Sequence, residues 1–283
     1  MRALAIELWY FFLANARASL FGAYLLSLFL LTEIVTVPFV SRYDFIFLAA
    51  VAFQVSALAF RFERPKEFFV IIVFHILATI MELFKTHPAI GSWSYPGIKD
   101  TLFTLYTVPL FTGFLYSAVG SYISRAFTYL HLTYERFPAY IHLWVLAVLI
   151  YVNFFTHHYT YDLRYFLFAY AIIVFLPTTI HFQVYRKRRS MPFLLSALLT
   201  AFFVWVAENL GTFTKIWLYP SQIERWHLIS LGKLGSWFLL LILSFALVSI
   251  IHWERIGRGD QTHNHFHGML PSGSYSRNQA RAS

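Results

Sequence analysis

ISLGKLGSWFLLLILSFALVSIIH, residues 229–252, holds one charged side chain, Lys233, in 24 positions. As a helix rising about 1.5 Å per residue it would run about 36 Å, enough for a hydrocarbon layer of about 30 Å. Its apolar residues are not confined to one stripe, so no face is left for water. A segment of this kind belongs in lipid or in a core covered on every side.

Seven more apolar windows lie upstream, at 18–40, 44–60, 67–86, 102–125, 138–157, 162–185 and 190–210. Of 283 residues, 59% are hydrophobic and 12% charged, and the mean hydropathy is +0.60. Soluble domains carry about 25% charged residues, so half that share cannot solvate a compact globule. The reading is an all-α polytopic transmembrane bundle of about eight helices. Residues 1–254 form one transmembrane domain, and 255–283 form a disordered cytoplasmic tail. The 44–60 window is short, and Arg61, Arg64 and Lys66 can snorkel to lengthen it. Pro109 and Pro177 fall inside windows, where a kink is expected. Arg2, Glu7 and Arg17 argue against a cleaved signal peptide, and Ala3 to Ala14 reads as an interfacial amphipathic segment.

The net charge is +9 and the pI about 9.7. The basic residues sit in short loops between apolar runs, which points to topology and anionic membrane lipids rather than nucleic acid. Alternating the eight spans places 15 Lys and Arg on one side and 7 on the other. The richer side takes Arg2, Arg17, Arg125 and the run Arg186 to Arg189, and is read as cytoplasmic. Both termini then lie inside. Trp93, Tyr95, Trp217, Tyr219 and Trp226 fall in outer loops, at the depth where amphipathic rings settle. Cysteine is absent, which excludes disulfides and thiolate chemistry.

A pattern occurs twice. Glu82 is followed by Trp93-Ser94-Tyr95-Pro96, and Glu208 by Trp217-Leu218-Tyr219-Pro220; Tyr43-Asp44 and Tyr161-Asp162 open a window in each half. The offsets are 126 (208 − 82), 124 (217 − 93) and 118 (161 − 43) residues. This suggests a four-helix unit duplicated over about 18–125 and 138–253. With an even number of spans per unit, the two copies would run parallel.

The runs Glu82-Leu83-Phe84-Lys85-Thr86, Gly91 to Pro96, Val108 to Tyr122, Glu208 to Thr212 and Lys233 to Trp237 resemble an uncharacterised bacterial integral-membrane family, the YoaT-like proteins. The resemblance covers most of the chain outside the tail. It implies a location in the bacterial inner membrane and brings no activity or catalytic residue with it.

Ionisable groups inside spans cost about 2.5–3.5 kcal/mol each and mark candidate sites. Glu33, His75, Glu82, Lys85, Asn153, His157, His158, Glu208, Asn209 and Lys233 qualify, nearly all in the outer half, so a polar cavity opening outward is expected. His75, Thr79, Glu82 and Thr86 make one helical stripe, either a proton relay from His75 to Glu82 or a hydrogen-bonded packing face. Glu208 and Lys233 match in depth and read as an ion pair. His157-His158 lacks a metal-ligand spacing, and His263, His265 and His267 read as solvated tail. No Walker A, G-x-G-x-x-G or G-x-S-x-G motif is present, so neither a cofactor nor a metal is expected.

Three functions compete. The first is an intramembrane acid–base enzyme on a lipidic or isoprenoid substrate, with Glu82, Glu208, His75 and Lys233 catalytic. Trp93, Tyr95, Trp217, Tyr219, Asn209 and Lys85 would then contact a hydrophobic small molecule. The second is a secondary transporter, for which inner-half partners are sparse beyond His181. The third is a scaffold or sensor.

Overall fold

The computed structural model describes residues 2–61 and 65–257. The tail with its three alternating histidines lies outside the described residues. Nine α-helices are present among them: α1 Arg2–Ala18, α2 Leu20–Ile34, α3 Arg42–Ala59, α4 Pro65–Thr86, α5 Thr112–Tyr129, α6 Tyr140–Thr156, α7 Arg164–Phe175, α8 Phe193–Phe213 and α9 Gly232–Gly257. The chain is a helical bundle, and each of the eight apolar windows carries one of the helices α2 to α9. By length and composition four helices can cross a membrane: α3, α4, α8 and α9. A fifth crossing arises if α1 and α2, bent by 71° at Ser19, are taken as one span.

Two windows are less helical than their hydropathy implied. In 102–125, residues before Thr112 form a hairpin of β1 (Thr104–Leu105) and β2 (Val108–Pro109). Pro109 therefore sits in a strand and kinks no helix. Its missing N–H and the β-branched Thr104, Thr107 and Val108 favour extended chain. The Asp44 carboxylate holds this entry by accepting from the backbone N–H groups of Leu102 and Phe103, at 2.9 and 2.8 Å. In 162–185, α7 stops at Phe175, because Pro177 has no N–H to continue the ladder. The chain then enters a three-stranded antiparallel sheet of β3 (Thr133–Glu135), β4 (Thr179–Gln183) and β5 (Arg188–Pro192).

Helix α1 packs against this sheet. The Glu7 carboxylate accepts from the backbone N–H groups of Arg186 and Lys187 at the β4–β5 turn, and Tyr10 stacks on Tyr185 at 4.6 Å. Its other face exposes Leu4, Leu8, Trp9 and Phe12. The segment read as Ala3 to Ala14 is thus part of a 17-residue helix with one face on the sheet and an apolar face exposed.

Antiparallel α4 and α5 pack closely because α5 presents small residues. Ser117 Oγ donates to the carbonyls of Gly113 and Ile71, at 2.8 and 3.1 Å. A Cβ on Gly120 would lie 2.7 Å from a ring carbon of Phe74. Small residues let two helix backbones approach closely. One core joins α4 to α9 around Phe127, Leu143, Phe175 and Ile242. A second joins α2 and α3 to the loops through Phe29, Tyr43, Phe111 and Ile216. Gly120→Val should therefore push Phe74 out of place and destabilise the bundle by about 1–3 kcal/mol, seen as a lower melting temperature of the detergent-solubilised protein than for Ala118→Val.

Candidate active site at the loop-bearing end

Helices α4 and α8 end, and α5 and α9 begin, at the same end of the bundle, joined by the loops 87–111 and 214–231. Chain connectivity alone thus brings Glu82, Glu208, Tyr116 and Trp237 to one level. The two W-x-Y-P segments meet there. Ser94 and Leu218 form an antiparallel bridge, each N–H donating to the other's carbonyl at 2.9 Å. Tyr43 ties both loops to α3: its hydroxyl donates to the Ile216 carbonyl at 2.7 Å and accepts from Gly97 N–H at 3.3 Å.

The loops fold back so that their aromatic tips donate to the carboxylates. Glu82, 3% exposed, accepts Trp93 Nε1 (2.8 Å) and Tyr95 Oη (2.7 Å) on Oε2 and Tyr116 Oη (2.8 Å) on Oε1. Glu208, 4% exposed, accepts Tyr219 Oη on Oε1 and Trp237 Nε1 on Oε2. An indole N–H can only donate, so its acceptor oxygen must keep a lone pair toward it. Burial, reinforced by the facing Glu82 carboxylate, raises the Tyr95 hydroxyl well above its ordinary value of 10.0. Burial and Glu208 do the same for Tyr219. Both phenols therefore remain donors at physiological pH. The cages touch edge to face, Trp93 on Tyr219 at 6.1 Å, and Tyr116 meets Trp237 at 6.3 Å.

Other candidates sit differently. No salt bridge joins Glu208 to Lys233 among the described residues. The expected pair is replaced by Lys233 Nζ lying over the Tyr219 ring at 4.4 Å and the Trp93 ring at 6.0 Å. An aromatic face satisfies an ammonium without a carboxylate, and the carboxylate already has its donors. Lys85, 4% exposed, turns away from Glu82 to His157 Nε2 (3.3 Å) and His158 Nε2 (2.6 Å), over the Phe154 ring at 4.4 Å. His157 Nδ1 lies 2.8 Å from the Asn153 carbonyl, which only accepts, so its Nε2 is the acceptor for Lys85.

His75 is not hydrogen-bonded to Glu82. Its buried Nδ1 has no hydrogen-bond partner among the described residues, Thr79 Oγ1 bonds the His75 carbonyl instead, and the ring packs on Phe114. Four- and three-residue steps share a helix face without bringing these side chains into contact. Thr86 continues the stripe by contacting Thr107 across the gap, at 2.6 Å. Asn209 holds the backbone of the second loop, accepting from Ile229 N–H at 2.9 Å and donating to the Trp205 carbonyl at 2.8 Å. Trp217 packs against Gly211, where any Cβ would lie 2.2 Å from its ring, and against Phe29. Glu33 pairs with Arg42 at 2.9 Å, away from the site. Tyr43 is buried but Tyr161 is 90% exposed, so that repeated dipeptide has different surroundings in the two halves.

Sequence reasoning missed Tyr116 and Trp237. Their separation of 121 residues (237 − 116) falls within the 118–126 range of the other matched positions. A search for polar-tipped aromatics in the first turns after each loop would have found them.

Beneath this layer, toward the bundle interior, is an apolar slot between α4, α5, α8 and α9. Tyr116 and Trp237 close one end, and Phe74, Met81, Val204 and Leu247 line it further in. Its free volume is about 30 Å³, so a chain entering it must part the helices.

The site defines an apolar helical bundle with two buried, aromatically caged carboxylates. The chain belongs to the family described as "Protein of unknown function (DUF817)", whose model matches residues 7–245. It is 39% identical over 249 residues to the "Uncharacterized protein YoaT" of Bacillus subtilis (strain 168), covering 88% of this chain and 92% of that protein. No solved structure matches it.

Removing the acceptor while leaving its donors should expose the role of the cage. Glu82→Leu leaves Trp93, Tyr95 and Tyr116 without their partner at about 1–3 kcal/mol per buried donor. Glu82→Gln keeps an acceptor oxygen. Thermal unfolding should show a large loss for the first and a small one for the second.

Proposed function

We propose that this is a multi-pass protein of the bacterial inner membrane that performs acid–base chemistry on a lipidic or isoprenoid substrate held in the slot. One observation carries the reading: Tyr116 lines the slot and bonds Glu82, while Trp237 lines it and bonds Glu208. A substrate in the slot would touch Tyr116, whose hydroxyl can pass a proton between it and Glu82, and Trp237, whose indole N–H donates to Glu208. One carboxylate supplies or removes a proton while the other stays anionic and stabilises developing positive charge with the surrounding rings. The paired W-x-Y-P loops and matched offsets support two copies of one unit, related by an axis near the membrane normal.

A permease reading has its own observation. At the opposite end of the same helices, Ser124 Oγ lies 2.9 Å from His252 Nε2 and 3.5 Å from Glu67 Oε1. Transport needs polar groups reachable from both sides, and this cluster supplies inner partners.

Lipid extracts from cells with and without the protein, compared by mass spectrometry, separate the readings. An enzyme should change at least one lipid species. Glu82→Gln and Glu208→Gln should each cut that conversion at least 100-fold while folded protein persists. Unchanged lipids together with solute uptake in proteoliposomes would favour the permease.

We further propose both termini in the cytoplasm, with the Arg186–Arg189 turn on that side and Tyr159 outside. The absence of native cysteine makes this directly measurable. In intact cells stripped of outer barriers, Tyr159→Cys should react with a membrane-impermeant maleimide, and Arg188→Cys only after lysis. The opposite pattern would reverse the orientation.

A further inference from the structure

The proton transfer proposed above uses the two carboxylates and the slot, and gives no task to the nitrogen-bearing side chains nearer the loops. Lys85 lies three residues beyond Glu82 toward the loops, and Lys233 four residues before Trp237. At about 1.5 Å per residue the Lys85 and Lys233 backbones are about 5 Å nearer the loops than those of Glu82 and Trp237. The two amines come from different helices yet lie within electrostatic reach of each other and of Arg164. Neither ammonium has a carboxylate within 4 Å among the described residues. Lys85 rests on two imidazoles and an aromatic face, and Lys233 on aromatic faces. Arg164 is engaged by Asp162 at 3.2 Å. Asp162 is within electrostatic reach of Lys85, and Glu208 within reach of Lys233.

The residues therefore follow one order along α4 and α9: the lysines nearest the loops, the caged carboxylates and their helix donors next, and the lining of the apolar slot beyond them. An elongated ligand matching that order has an anionic head, a reactive segment and a hydrocarbon tail. We propose that the site takes an anionic amphiphile whose phosphate-type headgroup is bound by Lys85 and Lys233, with His157 and His158 as further polar contacts. The proposal rests on the reading of the carboxylates as the reacting layer and adds the chemical class of the substrate. Two lysine amines held without contacting carboxylates suit a phosphate-type head, because it offers several strong acceptor oxygens and its negative charge favours their protonated form. A neutral hydrocarbon would leave this layer unused.

The test measures binding of farnesyl diphosphate, farnesol and inorganic pyrophosphate to the full chain in detergent micelles, by native mass spectrometry. Farnesyl diphosphate should bind at least tenfold more tightly than farnesol, and inorganic pyrophosphate should bind weakly. Lys85→Gln and Lys233→Gln should each weaken farnesyl diphosphate binding about tenfold and leave farnesol unaffected. Lys85→Arg should restore most of the loss, which excludes misfolding as the cause. Equal binding of farnesyl diphosphate and farnesol, or insensitivity to both lysine substitutions, would overturn the proposal. Inorganic pyrophosphate binding as tightly as farnesyl diphosphate would also overturn it, by pointing to a free-anion site. If headgroup binding fails while Glu82→Gln and Glu208→Gln still abolish lipid conversion, only the headgroup assignment falls.

Discussion

Burying a carboxylate among apolar helices obliges the chain to bring donors to it, because the group loses its hydration and neither glutamate here touches a cation among the described residues. Here five neutral donors from two loops and two helices meet two carboxylates. Much of the architecture at this end follows from that demand. The loops must fold back over the bundle rather than extend into solvent, so that Trp93, Tyr95 and Tyr219 can reach inward. Once folded back they pair with each other at Ser94 and Leu218, and Tyr43 fastens both to α3. Asp44 and Asn209 meet backbone N–H groups that this course would otherwise leave unsatisfied.

The separation of charges is the second consequence. Lysine and glutamate of matched depth would ordinarily be expected to pair, and removing such charges from water rarely returns a net gain. The chain instead satisfies each sign separately. Carboxylates take N–H and O–H donors, and ammonium groups take imidazole nitrogens and ring faces. This keeps acidic and basic layers apart along the helices, with the apolar slot beyond the acidic one. A site arranged this way can present different chemistry to different parts of one elongated molecule.

Some features were legible early. The positions of α2 to α9 were visible as apolar windows, and Glu82, Trp93, Tyr95, Glu208 and Tyr219 stood out because their repetition fixed them as a set. Hydropathy failed at 102–111 and 176–185, where apolar composition belongs to a hairpin and a strand. Mean hydropathy does not distinguish a helix from an apolar extended segment, whereas Pro109 and Pro177 do. The stripe from His75 to Thr86 was correctly placed on one face, but a shared face does not specify which side chains touch.

The sequence by itself determined the helical-bundle class, since long apolar runs satisfy most of their backbone groups as helices. It also determined that two glutamates would be embedded with aromatics nearby. Only the tertiary structure decided the partners. Tyr116 and Trp237 reach the carboxylates from helices that begin where the loops end, Lys85 turns to His157 and His158, and Lys233 settles on rings. These choices depend on distances of a few ångströms between segments far apart in the chain. Periodicity and spacing along one segment carry no record of such distances.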